Sequence, residues 1–284
     1  MTVMRLSELT WNEVAAAAPD ALLLLPIGSQ EQHAGHLPMG TDTLLVEAAL
    51  EEALASFGGS DLVLVRAPTL PYGHSPHHLF RAAASITAST LLQVLGDLLD
   101  SLHASGFRRF MIINGHGGNT EVIGLAVKQF ALRAPVAAAA CSYWQTEPIS
   151  AADAASAADA STDADVEDPA RTPGHAGWFE TSLMLAAHPD LVRPPTWSGG
   201  PDPAPLFDRS PHPGLLVERH GEWSRVGGIT DDPTRADTST GQALLGRRGR
   251  GLAEAITSFD AATRDRDQAT KAVLDHPTTE DGQP

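Results

Sequence analysis

Four short apolar runs, at 21–27, 62–68, 107–114 and 136–144, alternate with stretches in which apolar residues recur at helical spacing. That alternation constrains the chain more than any other feature, because strands joined by helices of this length form right-handed crossovers and hence a parallel sheet covered on both faces. LLLLPI over 22–27 is the first of these strands, preceded by a short helix over 6–18 with Ser7 and Thr10 as candidate caps. LLVEAALEEALASF after Asp42 is a helix stopped by Gly58 and Gly59, 89–106 is an amphipathic helix closed by Gly106, and a third helix runs from GHGGN to about Leu132. The expected fold is therefore α/β: a three-layer α/β/α sandwich around a mostly parallel sheet. Such sheets collect ligands beyond the carboxyl ends of their strands, where GSQEQH, NGHGGN and SYW all fall.

The first of these junctions holds Glu31, His33 and Asp42. Glu31 and His33 are two apart, so in an extended segment they point to one side, and Gly35, Pro38 and Gly40 turn the chain back to deliver Asp42. Carboxylate, imidazole and carboxylate suit Zn²⁺, Mn²⁺ or Fe²⁺; taken alone, the stretch reads equally as a polar surface loop. The rest of the chain offers partners. His116 lies in NGHGGN between a strand and a helix, where Gly115 lets backbone approach a ligand closely. A phosphate loop is the alternative there, but no Walker lysine follows and the pattern is not GxGxxG. His175 stands just before a helix and Glu180 within its first turns; a glutamate there also favours the macrodipole without any ligand. If that helix aims its N-terminus at the site, Glu180 ligates a metal and His175 meets the substrate. His74, His77 and His78 occupy a Gly-Pro loop and read as a rim, with His78 on the substrate side. Cys141 packs in a strand.

Composition removes several classes. The formal net charge of -16 argues against nucleic-acid and anionic-membrane partners. One cysteine excludes an internal disulfide framework and fits a reducing compartment; no stretch approaches about 18 uninterrupted apolar residues, so a cytoplasmic location is expected. The 284 residues are expected to form a single domain over 1–264, with a low-complexity insert at 146–173 and a flexible tail at 265–284.

GSQEQHAGHLPMGTD, NGHGGN, SYW and HAGWFETSLMLAAHPDLV resemble the creatininase (creatinine amidohydrolase) family, in matching order and spacing over about residues 20–260. The resemblance implies a binuclear metal-dependent hydrolase, two divalent ions (Zn, Mn or Fe), a small-molecule substrate and a homo-oligomer, usually a hexamer. Carried over by motif, Glu31 and His116 hold one metal, His33 the other, and Asp42 bridges them. Creatininase follows NGH with Tyr-Glu, whose glutamate ligates the second metal; Gly117 and Gly118 stand here, so the resemblance passes that ligand to Glu180. It makes His175 the residue that orients or protonates substrate, with Trp144, Gly115, His78 and Arg171 around it. Arg171 replaces a tryptophan of creatininase, either to bind an anionic group or as a solvated loop residue, which argues against creatinine itself. The implied reaction is hydrolysis of an amide or cyclic amide C–N bond. Peptidase, deformylase or C–C and ring hydrolase chemistry on the same centre, or a non-catalytic binding protein, are the alternatives.

Overall fold

The computed structural model describes residues 1–58, 61–146, 173–200, 203–208, 210–212 and 214–264, together with the helical backbone of 265–275. Five parallel strands form one sheet: β1 (Thr2–Arg5), β2 (Leu22–Ile27), β3 (Val63–Arg66), β4 (Arg109–Asn114) and β5 (Ala137–Ser142), in the order β1-β3-β2-β4-β5. The helices are α1 (Trp11–Ala17), α2 (Thr41–Ser56), α3 (Ala88–Ala104), α4 (Thr120–Arg133), α5 (Trp178–Ala187), the single turn α6 (Glu222–Arg225) and α7 (Thr238–Asp275).

Side chains alternate across a strand, so β2 and β4 feed two cores at once. Leu22, Leu24, Met111 and Ile113 pack with residues of α2, α5 and α7 on one face. Leu23, Leu25, Ile27, Phe110 and Ile112 pack with residues of α1, α3 and α4 on the other. The expected three-layer sandwich is the observed fold. Arg109, buried at the start of β4, donates to Asp260 of α7 at 2.6 Å and so ties the outer helix to the sheet.

Two elements differ from the sequence reading. β1 is an additional edge strand; its four residues are largely exposed and carry no apolar run, so periodicity has nothing to detect. The helix expected over 6–18 is a 3-10 turn, Leu6–Glu8, followed by α1. Thr10 restarts the helix through a capping box with Glu13, whose carboxylate accepts from the Thr10 amide at 2.7 Å. The expected insert at 146–173, Arg171 with it, lies outside the described residues except for its ends. The expected tail does too, apart from the backbone that continues α7 to Asp275.

The chain leaves β2 for β3 on one side and then crosses to β4 on the other. This reversal sits at the carboxyl ends of β2 and β4, where Ile27 pairs with Asn114, and it opens the position at which doubly wound sheets hold ligands.

α7 begins on an N-cap. The Asp237 carboxylate accepts from the Thr240 amide at 2.9 Å, and the hydroxyls of Ser239 and Thr240 hold its pKa down to about 2. Asp237→Ala is expected to lower the unfolding free energy by about 1 kcal/mol at neutral pH. A carboxyl depressed in the folded state stabilises above its unfolded pKa and loses that contribution as pH falls. In urea titrations the gap between variant and wild type therefore narrows as pH drops from about 4 towards 2.

Candidate metal centre

Glu31 and His33 leave the end of β2 as expected, and the turn through Gly40 puts Asp42 in the first turn of α2. β4 delivers His116, and the stretch before α5 delivers His175 and Glu180. All six are buried. His33 Nδ1 donates to the Glu31 carbonyl at 3.1 Å, which turns Nε2 inward, the usual posture of a ligating histidine. That Nε2 lies 3.2 Å from Asp42 Oδ1 and 3.7 Å from Glu180 Oε2. The His116 ring stands between two carboxylates: Nδ1 is 3.1 Å from Asp42 Oδ2 and Nε2 is 3.2 Å from Glu31 Oε2.

Each loop is locked by local bonds. Asn114 Oδ1 accepts from the His116 amide at 3.0 Å, and Asn119 donates to the Gly28 carbonyl at 3.1 Å while accepting from the His74 amide at 2.9 Å. The outer asparagines of NGHGGN therefore clamp three loops together. Ala34 and Ala176, each directly after a site histidine, take φ of 54° and 52°, the left-handed region that L-residues avoid at roughly 1–2 kcal/mol. Both occur in the tripeptide His-Ala-Gly, and both turn the chain sharply behind an inward-facing imidazole. The Ala176 amide then donates to Glu180 Oε2 at 2.6 Å.

Gln32 organises the substrate side. Its Oε1 accepts from the Ala34 amide at 3.0 Å, which directs its amide nitrogen to His78 Nδ1 at 2.8 Å, His175 Nε2 at 3.0 Å and the Gly228 carbonyl at 3.3 Å. His78 Nε2 then faces Glu31 Oε1 at 3.3 Å. His175 Nε2 lies 2.8 Å from the Gln32 carbonyl and donates to it, so Nδ1, 3.6 Å from Glu31 Oε1, keeps its lone pair. The His78 and His175 rings stack at 4.1 Å.

The charges are set against one another. Burial and then the Asp42 charge push Glu31 up to about 7. Burial would raise Asp42 as well, but His33 and His116 hold it far below the carboxylate range. Burial opposes the charged form of His116 and His33, yet the carboxylates around them win, raising His116 to about 9 and His33 well above its ordinary value. His175 goes the other way: burial, then His33 and His78, keep it neutral.

Glu31 Oε1 and Oε2, His33 Nε2, Asp42 Oδ2 and His78 Nε2 are buried without a hydrogen-bond partner. A buried unsatisfied polar atom costs about 1–3 kcal/mol, and so many around one small space fit the binding of a cation. Among the described residues, three sets of three side chains bring one ligand atom each within 4.8 Å of the others: His33 with Asp42 and Glu180, Glu31 with His77 and His116, and Glu31 with His33 and His175.

Other expected residues sit differently. Trp144 is buried edge-on against Tyr143, 5.3 Å between ring centroids, in the apolar layer shared with Phe179. A Cβ on Gly115 would lie 2.4 Å from the Asp42 carbonyl, so this glycine lies against α2. Arg171 lies outside the described residues. The sequence reading does not single out Gln32 or Trp223, and it places His77 on the rim. Gln32 falls between two candidate ligands, a signal that was available. Trp223 carries none: it comes from the distant single turn α6, stacks on Phe207 at 4.0 Å and roofs His77 and His78 at 4.9 Å each.

Residues 7–256 match the family model for creatininase, described as creatinine amidohydrolase. The creatinine amidohydrolase of Pseudomonas putida is 33% identical over 231 residues, covering 74% of this chain and 84% of that protein. The mycofactocin precursor peptide peptidase of Mycobacterium tuberculosis is 30% identical over 255 residues, 86% of each chain. A solved structure of creatininase with manganese superposes with a TM-score of 0.64 at 28% identity, over 90% of this chain and 98% of the other.

Proposed function

The chain belongs to the creatininase family, and from that premise we propose that it is a metal-dependent amidohydrolase that cleaves an amide or cyclic amide C–N bond of a small molecule. The observation that carries this reading is the convergence of buried, unpartnered atoms of Glu31, His33 and Asp42. Their donor types match first-row divalent ions, and the relatives include a creatinine amidohydrolase, a peptide peptidase and a manganese-containing creatininase.

In this reading Glu31 and His116 would hold one ion and His33 and Glu180 the other, with Asp42 standing between them, one oxygen towards His33 and one towards His116. Bound divalent ions supply Lewis-acid polarisation of the amide carbonyl and acidify water towards neutral pH. His175 moves the proton. Neutral, and fixed through Nε2 to the Gln32 carbonyl, it presents Nδ1 as a base towards the attacking water and returns the proton to the leaving nitrogen. His78 holds the second face of Glu31, and Trp223 with Phe207 screens the imidazoles from bulk water. Two particulars bear on the substrate: the Trp223 roof is carried by the single turn α6, and Arg171 stands where creatininase has a tryptophan.

Chelation is the direct test. The purified protein is expected to contain first-row divalent metal, to lose more than about 100-fold of its turnover once that metal is stripped, and to regain it with Zn²⁺, Mn²⁺ or Fe²⁺. Assays on creatinine, N-formyl compounds and short peptides then divide the amide substrates. Full activity in protein shown by elemental analysis to be metal-free overturns the proposal.

A further inference from the structure

We propose that His77 is a metal ligand, completing with Glu31 and His116 a site of two imidazoles and one carboxylate. This rests on the metal-dependent reading above. Three observations support it. The ligand atoms of Glu31, His77 and His116 lie within 4.8 Å of one another. Ligands on one tetrahedral ion, each about 2.1 Å from it, stand about 3.4 Å apart, so closure asks for a shift of roughly 1 Å. Second, neither ring nitrogen of His77 has a hydrogen bond among the described residues, although the ring is half-buried and held. It lies parallel to His116, 4° between planes at 5.7 Å, with Trp223 on it at 4.9 Å, and Pro76 opens the 3-10 turn that carries it.

Third, the loop carrying His77 closes off position 118. A Cβ on Gly118 would meet the His74 carbonyl at 2.3 Å, His116 Nε2 at 2.6 Å and His77 Cε1 at 3.0 Å. No side chain fits there, and an imidazole from the facing loop already stands at that spot. Glu31, His77 and His116 then gather on one side and His33, Asp42 and Glu180 on the other, with Asp42 Oδ2 also 3.1 Å from His116 Nδ1 and a third set, Glu31 with His33 and His175, spanning the two. Each side has three protein ligands, which leaves a coordination position open for water or substrate. Because His77 is the half-exposed member, it lies on the solvent side of its ion.

The test is titration of the metal-stripped full chain with Co²⁺ against a competing chelator, followed by visible absorption, for wild type, His77→Ala and His77→Gln. Wild type is expected to bind two ions. Both variants are expected to keep one affinity and lose at least about 10-fold in the other, with a changed absorption band for that ion as an imidazole leaves it. Thermal midpoints in chelator confirm folding, and the glutamine variant decides if the alanine variant is unstable. Two unchanged affinities and an unchanged band in the folded variants overturn the assignment of His77 alone. A wild type that binds no cobalt overturns both this inference and the reading on which it rests.

Discussion

Asp42→Ala is expected to release both ions and reduce turnover to background. Asp42 touches both halves of the centre, with Oδ1 3.2 Å from His33 Nε2 and Oδ2 3.1 Å from His116 Nδ1. Its position is built in: it enters α2 in the first turn and is 2% exposed. Removing a group that merely orients a ligand costs 10–100-fold in metal affinity, so removal of a group reaching both sites should exceed 100-fold. Asp42→Asn separates charge from shape. It fills the same volume, but its amide hydrogens face two imidazoles that need an acceptor or a shared cation. It should retain the fold and still fail to hold metal. The readouts are metal per chain, kcat/KM on any substrate the screen identifies, and the thermal midpoint. A fully active, metal-loaded Asp42→Ala protein would sink the assignment.

The site was legible where the chain itself makes it compact. Glu31, His33 and Asp42 lie within twelve residues, the rule that ligands gather at strand ends brings in His116, and the family resemblance of the HAGWFE stretch brings in Glu180. The structure brings these five together. Less legible were groups that act through geometry rather than residue type. Gln32 matters because its amide nitrogen is committed, which depends on the left-handed turn at Ala34. His77 read as rim because three histidines in a Gly-Pro loop give no indication of which one faces inward. Trp223 arrives from beyond a proline-rich arm whose path no periodicity describes. The fold shows the same division: β2, β4 and their helices are long and apolar enough to read, whereas β1 is a short exposed edge.

Gly115→Ala is the sharpest test of how the site is positioned, and it has a control two residues further along the same loop. The sequence places Gly115 beside a substrate; the structure places it beneath α2, where an added Cβ would lie 2.4 Å from the Asp42 carbonyl and 2.9 Å from Val46 Cβ. The Gly115 amide is already fixed to the Ile27 carbonyl at 2.8 Å, so the strand end cannot retreat without giving up that bond. The first turn of α2 must move instead, taking Asp42 away from His116. Overpacking of this kind costs about 1–3 kcal/mol, and displacement of a reacting group by about 1 Å costs on the order of 100-fold in rate. At Gly117, in the same glycine run, a Cβ meets nothing within 4 Å. Gly117→Ala should leave activity intact and stability within about 1 kcal/mol of wild type. If instead Gly115→Ala folds and turns over like wild type, the contact between β4 and α2 does not set the position of Asp42. If the two variants fall equally, the loss reflects backbone freedom in the loop rather than the space under α2.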